Sequence, residues 1–244
     1  MPSFDSPPLE DYPISFLSYV NDVTSRQLRI YRNGSLWKTV PYNPKNQSES
    51  YGQADPGGIY SYVNDVTSRQ FRIYRNGSLW KTTPYNPANQ FESYGDVMYD
   101  GRGSTDFFSY VNDVTSRQFH IYRNSSLWKT TPYNPANQSE SYGCIDSRWA
   151  HYSSDSSLFS YVNDVTSRQF HIYRDGSLWK TTPYNPANQS ESYGLLGPAS
   201  AVFSYVNDVT SRQFRIYRDG SPWKTFPYNP TNQSESYGEI VPYL

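Results

Sequence analysis

A chain of 244 residues with a formal net charge of −1 carries no global field that would draw it to nucleic acid or to an acidic membrane surface. Its 25 Tyr, 12 Phe and 6 Trp exclude a disordered chain, which is poor in aromatics. A single cysteine, Cys144, excludes an internal disulfide and a cysteine-based zinc site.

Residues 1–15 are rich in proline and acidic side chains, without the basic and apolar regions of a signal peptide. That start leaves the compartment open between the cytoplasm and release without a classical signal. No run approaches the roughly 18 apolar residues of a membrane-spanning helix, so no membrane insertion is expected.

A unit then repeats five times, beginning near residues 16, 59, 107, 158 and 202. Its pattern is SYVNDVTSRQFRIYRNGSLWKTTPYNPANQSESYG, and its serines fall at Ser18, Ser61, Ser109, Ser160 and Ser204, a mean period of about 46 residues. Long stretches of helical periodicity are missing, and the prolines and Asn-Gly pairs would interrupt them. A period of this length with strand-like content predicts an all-β fold, a five-bladed β-propeller forming a single domain over 1–244.

Each unit supplies its strands in order. The first ends in SYVND, and DVTSR turns the backbone beneath an Asx cap. The second is QFRIYR, with Phe71 and Ile73 on one face and Arg72 and Tyr74 on the other. Asn76-Gly77 then makes a two-residue hairpin turn, because both positions accept positive φ. SLWKTTP is the third strand, YNPANQ a loop, and SESYG with the spacer after it holds the fourth strand. Pro222 replaces the leucine of the other copies and is expected to weaken pairing in the last unit. The spacers 53–60, 96–108, 144–159 and 195–203 differ in length, which marks part of each as a surface loop. Residues 1–15 and the tail 239–244 are expected to complete one blade and so remove a free sheet edge.

No catalytic constellation is legible. His120 and His171 replace an arginine of the repeat, and His151 lies in a spacer. Catalysis needs different groups aimed at one reacting centre, whereas five near-copies supply five equivalent sites. The protein therefore reads as a binding protein and not an enzyme, with no cofactor and no metal.

Each unit does carry a binding kit. A tryptophan beside a lysine recurs as Trp37, Trp80, Trp128, Trp179 and Trp223, and a PYNP tyrosine as Tyr42, Tyr85, Tyr133, Tyr184 and Tyr228. The asparagine–glutamine pairs are Asn46-Gln47, Asn89-Gln90, Asn137-Gln138, Asn188-Gln189 and Asn232-Gln233. Flat apolar faces beside amide donors and acceptors suit a sugar ring; the same residues also serve blade packing and loop shape.

The run FSYVND…FRIYRNGSLWKTTP resembles the blade pattern of the tachylectin-type lectins, with Leu79-Trp80-Lys81 and Pro84 in the places of that pattern. The resemblance covers about 25 residues of each unit and implies a five-bladed propeller that binds N-acetylated amino sugars. The Asn-Trp pair that follows the proline loop in that family is replaced here by Gln-Ser-Glu-Ser-Tyr, and its Gly-Gly-Trp is missing, so sugar specificity does not carry over.

The reading is a multivalent carbohydrate-binding protein, a lectin with glycans or glycoconjugates as partners, acting as a monomer or small homo-oligomer. An interaction or structural propeller that uses its unique spacers is the alternative, and a repetitive peptide precursor the third.

Overall fold

The structure is a computed structural model that describes residues 14–42, 49–55, 58–85, 92–99, 105–132, 140–146, 157–184, 191–196, 201–228 and 235–242. The described residues form strands joined by turns, with no helix among them.

Blade 1 contains β1 (Ile14–Asp22), β2 (Gln27–Arg32) and β3 (Ser35–Pro41). Blade 2 contains β4 (Ser50–Asp55), β5 (Gly58–Asp65), β6 (Gln70–Arg75) and β7 (Ser78–Pro84). Blade 3 contains β8 (Ser93–Tyr99), β9 (Thr105–Asp113), β10 (Gln118–Arg123) and β11 (Ser126–Pro132). Blade 4 contains β12 (Ser141–Asp146), β13 (Ser157–Asp164), β14 (Gln169–Arg174) and β15 (Ser177–Pro183). Blade 5 contains β16 (Ser192–Leu196), β17 (Val202–Asp208), β18 (Gln213–Arg218) and β19 (Ser221–Pro227), and β20 (Ser236–Pro242) returns to blade 1. The five antiparallel sheets are the five expected blades.

The hairpins form for the reason the sequence suggests. Asn76 and Gly77 take φ of 50° and 80°, the doubly positive geometry that matches strand twist. A side chain on Gly77 would press into the Pro41 carbonyl of the preceding blade, 2.7 Å from the added carbon. Ser125 stands at the equivalent place in blade 3 and turns the close approach into a bond, its hydroxyl donating to the Pro84 carbonyl at 2.5 Å. A bulge between Ile73 and Tyr74 recurs in every blade. At the other end of the hairpin, Asp65 Oδ1 accepts from the Ser68 amide at 2.9 Å, an Asx-capped turn, and Arg69 follows at φ 56°.

One assignment differs from expectation. The strand that begins SYG does not complete the sheet of its own unit: it becomes the innermost strand of the next blade, as the order β4-β5-β6-β7 shows. The hydrogen bonds explain why. Glu92, just before β8, offers its carboxylate to Ser109 of blade 3 and its backbone carbonyl to Asn64 of blade 2, so it seats the new strand against the new sheet while tying it to the old one. The same logic closes the ring, where β20 pairs with β1 from Ile14–Pro242 to Tyr19–Ser236. The expected contribution of residues 1–13 lies outside the described residues. Pro222 keeps the register of the other blades, opposite Tyr217. It sits on an outermost strand, where one ladder donor is dispensable.

Between blades lie five apolar layers. Tyr60, Phe71, Ile73 and Tyr85 of blade 2 meet Val97 and Phe107 of blade 3, and each other junction repeats this arrangement. Burying each such side chain contributes about 1.5–3 kcal/mol. Nearer the axis, one tyrosine pair stacks across every junction: Tyr19–Tyr51, Tyr62–Tyr94, Tyr110–Tyr142, Tyr161–Tyr193 and Tyr205–Tyr237, with centroids 4.1–4.8 Å apart. Offset aromatic pairs at this distance add about 0.5–1.5 kcal/mol beyond their area.

Candidate functional site

Antiparallel connectivity sorts the loops onto two faces. The DVTSR turns stand at one end of every blade, where β7 finishes beside the turn that starts β6 and β8 starts beside Asn64. The Asn-Gly turns stand at the other end, where the innermost strands such as β8 finish and the next strands such as β9 begin. The face that carries the DVTSR turns is called the repeated face below.

On the repeated face, Tyr42, Tyr85, Tyr184 and Tyr228 are only 3–4% exposed. Their amides donate to the carbonyls of Arg26, Arg69, Arg168 and Arg212, which pins the strand end to the turn. Their rings pack on the core, as Tyr85 does on Phe71 at 4.6 Å. Their hydroxyls have no hydrogen-bond partner among the described residues. Burial pushes the phenols up to about 12, with the Glu49 carboxylate adding to the effect at Tyr42 and Glu92 at Tyr85. A buried polar atom without a partner is rare in a folded protein, and here one recurs at four equivalent places.

Below them, Glu49, Glu92, Glu140, Glu191 and Glu235 are at most 2% exposed, and each accepts from a strand serine: Ser61, Ser109, Ser160, Ser204 and Ser18. Sequence reasoning passed over these glutamates as part of a polar segment. Their signal was that Phe91 replaces a serine in one copy while Glu92 stays.

The predicted kit is divided by the structure. Trp80, Trp128, Trp179 and Trp223 meet Tyr60, Phe108, Phe159 and Phe203 edge-on at 5.2–5.6 Å, and Trp37 packs on the blade 1 layer, so the tryptophans wall the junctions toward the other end. Five residues of strand separate Trp80 from Tyr85, about 16 Å, so the two do not share one sugar-sized platform. Tyr133 and the pairs Asn46-Gln47, Asn89-Gln90, Asn137-Gln138, Asn188-Gln189 and Asn232-Gln233 lie outside the described residues. The connections that carry them leave at positions such as Tyr85 and return at positions such as Glu92, both at the repeated face.

At the turns, Arg29–Asp22, Arg72–Asp65 and Arg215–Asp208 form ion pairs at 2.5–2.6 Å. His120 and His171 stand 3.7 and 3.8 Å from the corresponding aspartates, so they replace the arginine within a turn contact.

No family model matches this protein, and no curated protein matches it either. Solved structures that share its outline include BBS1N in complex with ARL6DN, at 11% identity and TM-score 0.40 over 87% of this chain and 77% of that one. A protein of unknown function from Bacteroides caccae gives 8% and 0.41 over 88% and 73%. The WD40 β-propeller domain of Doa1 gives 13% and 0.37 over 89% and 79%. Similarity at this level carries no functional inference.

Proposed function

We propose that this propeller is a lectin: a non-enzymatic, multivalent carbohydrate-binding protein whose equivalent, shallow sites lie at the blade junctions of the repeated face. The observation that carries the reading is the set of orphan hydroxyls of Tyr42, Tyr85, Tyr184 and Tyr228, each a donor without an acceptor at an equivalent junction. A glycan hydroxyl or acetamido oxygen supplies such an acceptor. The tryptophans serve packing in this reading and not sugar stacking. N-acetylated amino sugars, which the tachylectin-type resemblance implies, are the first ligands to test.

A glycan array and red-cell agglutination with sugar inhibition test the proposal. Changing Tyr42, Tyr85, Tyr184 and Tyr228 together to Phe removes only the hydroxyls. Binding should fall while stability holds or rises, since an unpartnered buried donor costs free energy. Unchanged binding in that variant, or no glycan bound by the parent protein, rejects the proposal.

A second reading rests on the spacers 53–60, 96–108, 144–159 and 195–203, which differ in sequence and length while the units repeat, so a protein partner that reads differences between blades would use them. Exchanging the spacers for one common sequence should abolish that interaction and leave glycan binding intact.

A further inference from the structure

The five Asn-Gly-type turns sit against the preceding blade, and the lysine of that blade behaves differently from junction to junction. Lys129 and Lys180 reach across to Asp175 and Asp219, at 2.5 and 2.6 Å. Lys81 reaches Asn124 Oδ1 at 2.5 Å, and Asn124 in turn donates to Asp106 at 2.6 Å. At two of these turns the acceptor is a carboxylate, and at the third it is the Asn124 amide oxygen with the Asp106 carboxylate of β9 behind it. At Asn76 and Asn33 the lysine lies closer to its own tryptophan: Lys38 is 4.3 Å from the Trp37 ring centroid and Lys224 4.5 Å from that of Trp223, against 5.7 Å for Lys81 on Trp80 and 5.9 Å for Lys129 on Trp128. A half-exposed ammonium gains more from a carboxylate than from a neutral amide, and an aromatic face is its fallback.

Those two turns are also the two in which asparagine is followed by glycine, at Asn33-Gly34 and Asn76-Gly77. Glycine places no side chain over its own amide nitrogen, so that nitrogen is free to attack the asparagine Cγ. We propose that Asn33 and Asn76 are deamidation sites, and that the aspartate formed draws Lys224 and Lys38 across their junctions into the ion pair already present between blades 3 and 4 and blades 4 and 5.

The step balances without an oxidant. The Gly77 nitrogen bonds to Asn76 Cγ, the Cγ–Nδ2 bond breaks, and ammonia leaves with the amide proton. Solvent water then adds to Cγ of the succinimide, the bond between Cγ and the Gly77 nitrogen breaks, and aspartate forms with the backbone restored. Addition at the backbone carbonyl would give isoaspartate instead. The fold already accepts the aspartate product. Asp175 and Asp219 keep positive φ of 49° and 48° and take the strand amides of Leu158 and Val202 at 2.9 and 3.0 Å, as Asn76 takes that of Ile59 at 3.0 Å.

The test has two arms on the intact protein. The first incubates the protein in mildly alkaline buffer and maps its peptides by mass spectrometry. Amide-to-acid exchange at Asn33 and Asn76, ahead of Asn124, with aspartate among the products, is expected. The second makes Asn76→Asp directly. Its melting temperature should rise by about one to three degrees, and Lys38→Ala should abolish that rise. No exchange at either asparagine, isoaspartate as the sole product, or a melting temperature indifferent to the Asn76–Lys38 pairing overturns the proposal.

Discussion

The hydroxyl of Tyr51 donates to Oε1 of Glu239 at 2.5 Å, joining the innermost strand of blade 2 to the closing strand of blade 1 across 188 positions of sequence. The same carboxylate oxygen also takes the amide of Ala54. At two further junctions the residue after SYG occupies the same role. Gln53 takes the Tyr94 hydroxyl at 3.2 Å and Asp96 takes that of Tyr142 at 2.5 Å. The ring of tyrosines is therefore repeated while its acceptors differ from blade to blade.

Glu239→Ala should destabilise the ring most where it closes. It leaves the buried Tyr51 hydroxyl and the Ala54 amide without their acceptor, a loss of about 1–3 kcal/mol. Glu239→Gln keeps an acceptor oxygen and should cost less. Denaturant unfolding of both variants checks the order.

At the equivalent position of blade 5 stands Leu195, which offers no acceptor, and the buried Tyr237 hydroxyl has no partner among the described residues. Leu195→Gln copies the Gln53 solution. It should raise stability by about 1 kcal/mol, read as a higher denaturant midpoint with an unchanged slope.

Ser61→Ala removes a donor from the buried Glu49 carboxylate and should cost about 1–3 kcal/mol. Its repeat equivalents Ser109→Ala, Ser160→Ala and Ser204→Ala should cost similar amounts, because the environment recurs. Thermal unfolding of the four variants measures this directly.

Alkaline stability follows from the tyrosines. Burial holds the phenols of Tyr42, Tyr85, Tyr184 and Tyr228 up at about 12, against 10.0 for an ordinary tyrosine, and raises those of Tyr51, Tyr94, Tyr142, Tyr193 and Tyr237 well above that value. The folded state then keeps protons that the unfolded state releases. Their contribution is complete below pH 10 and is lost as pH climbs from there through the folded-state values. Tyrosinate absorbance and β-type circular dichroism followed together should show a large fraction of tyrosines ionising only as the sheet signal disappears.

The hairpins were legible in the sequence because the Asn76-Gly77 geometry is local and the alternation of Phe71 and Ile73 fixes which face is buried. The blade count followed from the period. The swap of the SYG strand into the next blade was not legible, since it depends on Glu92 reaching Ser109 and Asn64, contacts that no local pattern encodes. The positions of the aromatic residues within the blades were less legible. Composition identified aromatics and amides, but a tryptophan that walls a junction and one that faces a ligand have the same neighbours in sequence. The orphan hydroxyls emerge only when burial is known.

The most direct test of the lectin reading is calorimetric titration with a monovalent amino sugar beside binding to a surface dense in the same sugar. Independent, equivalent junction sites predict several molecules bound per protein, each with a dissociation constant on the order of 1 mM. Surface binding should be stronger by roughly 10²–10⁴-fold. A single tight site, or surface binding no stronger than the monovalent constant, would contradict it.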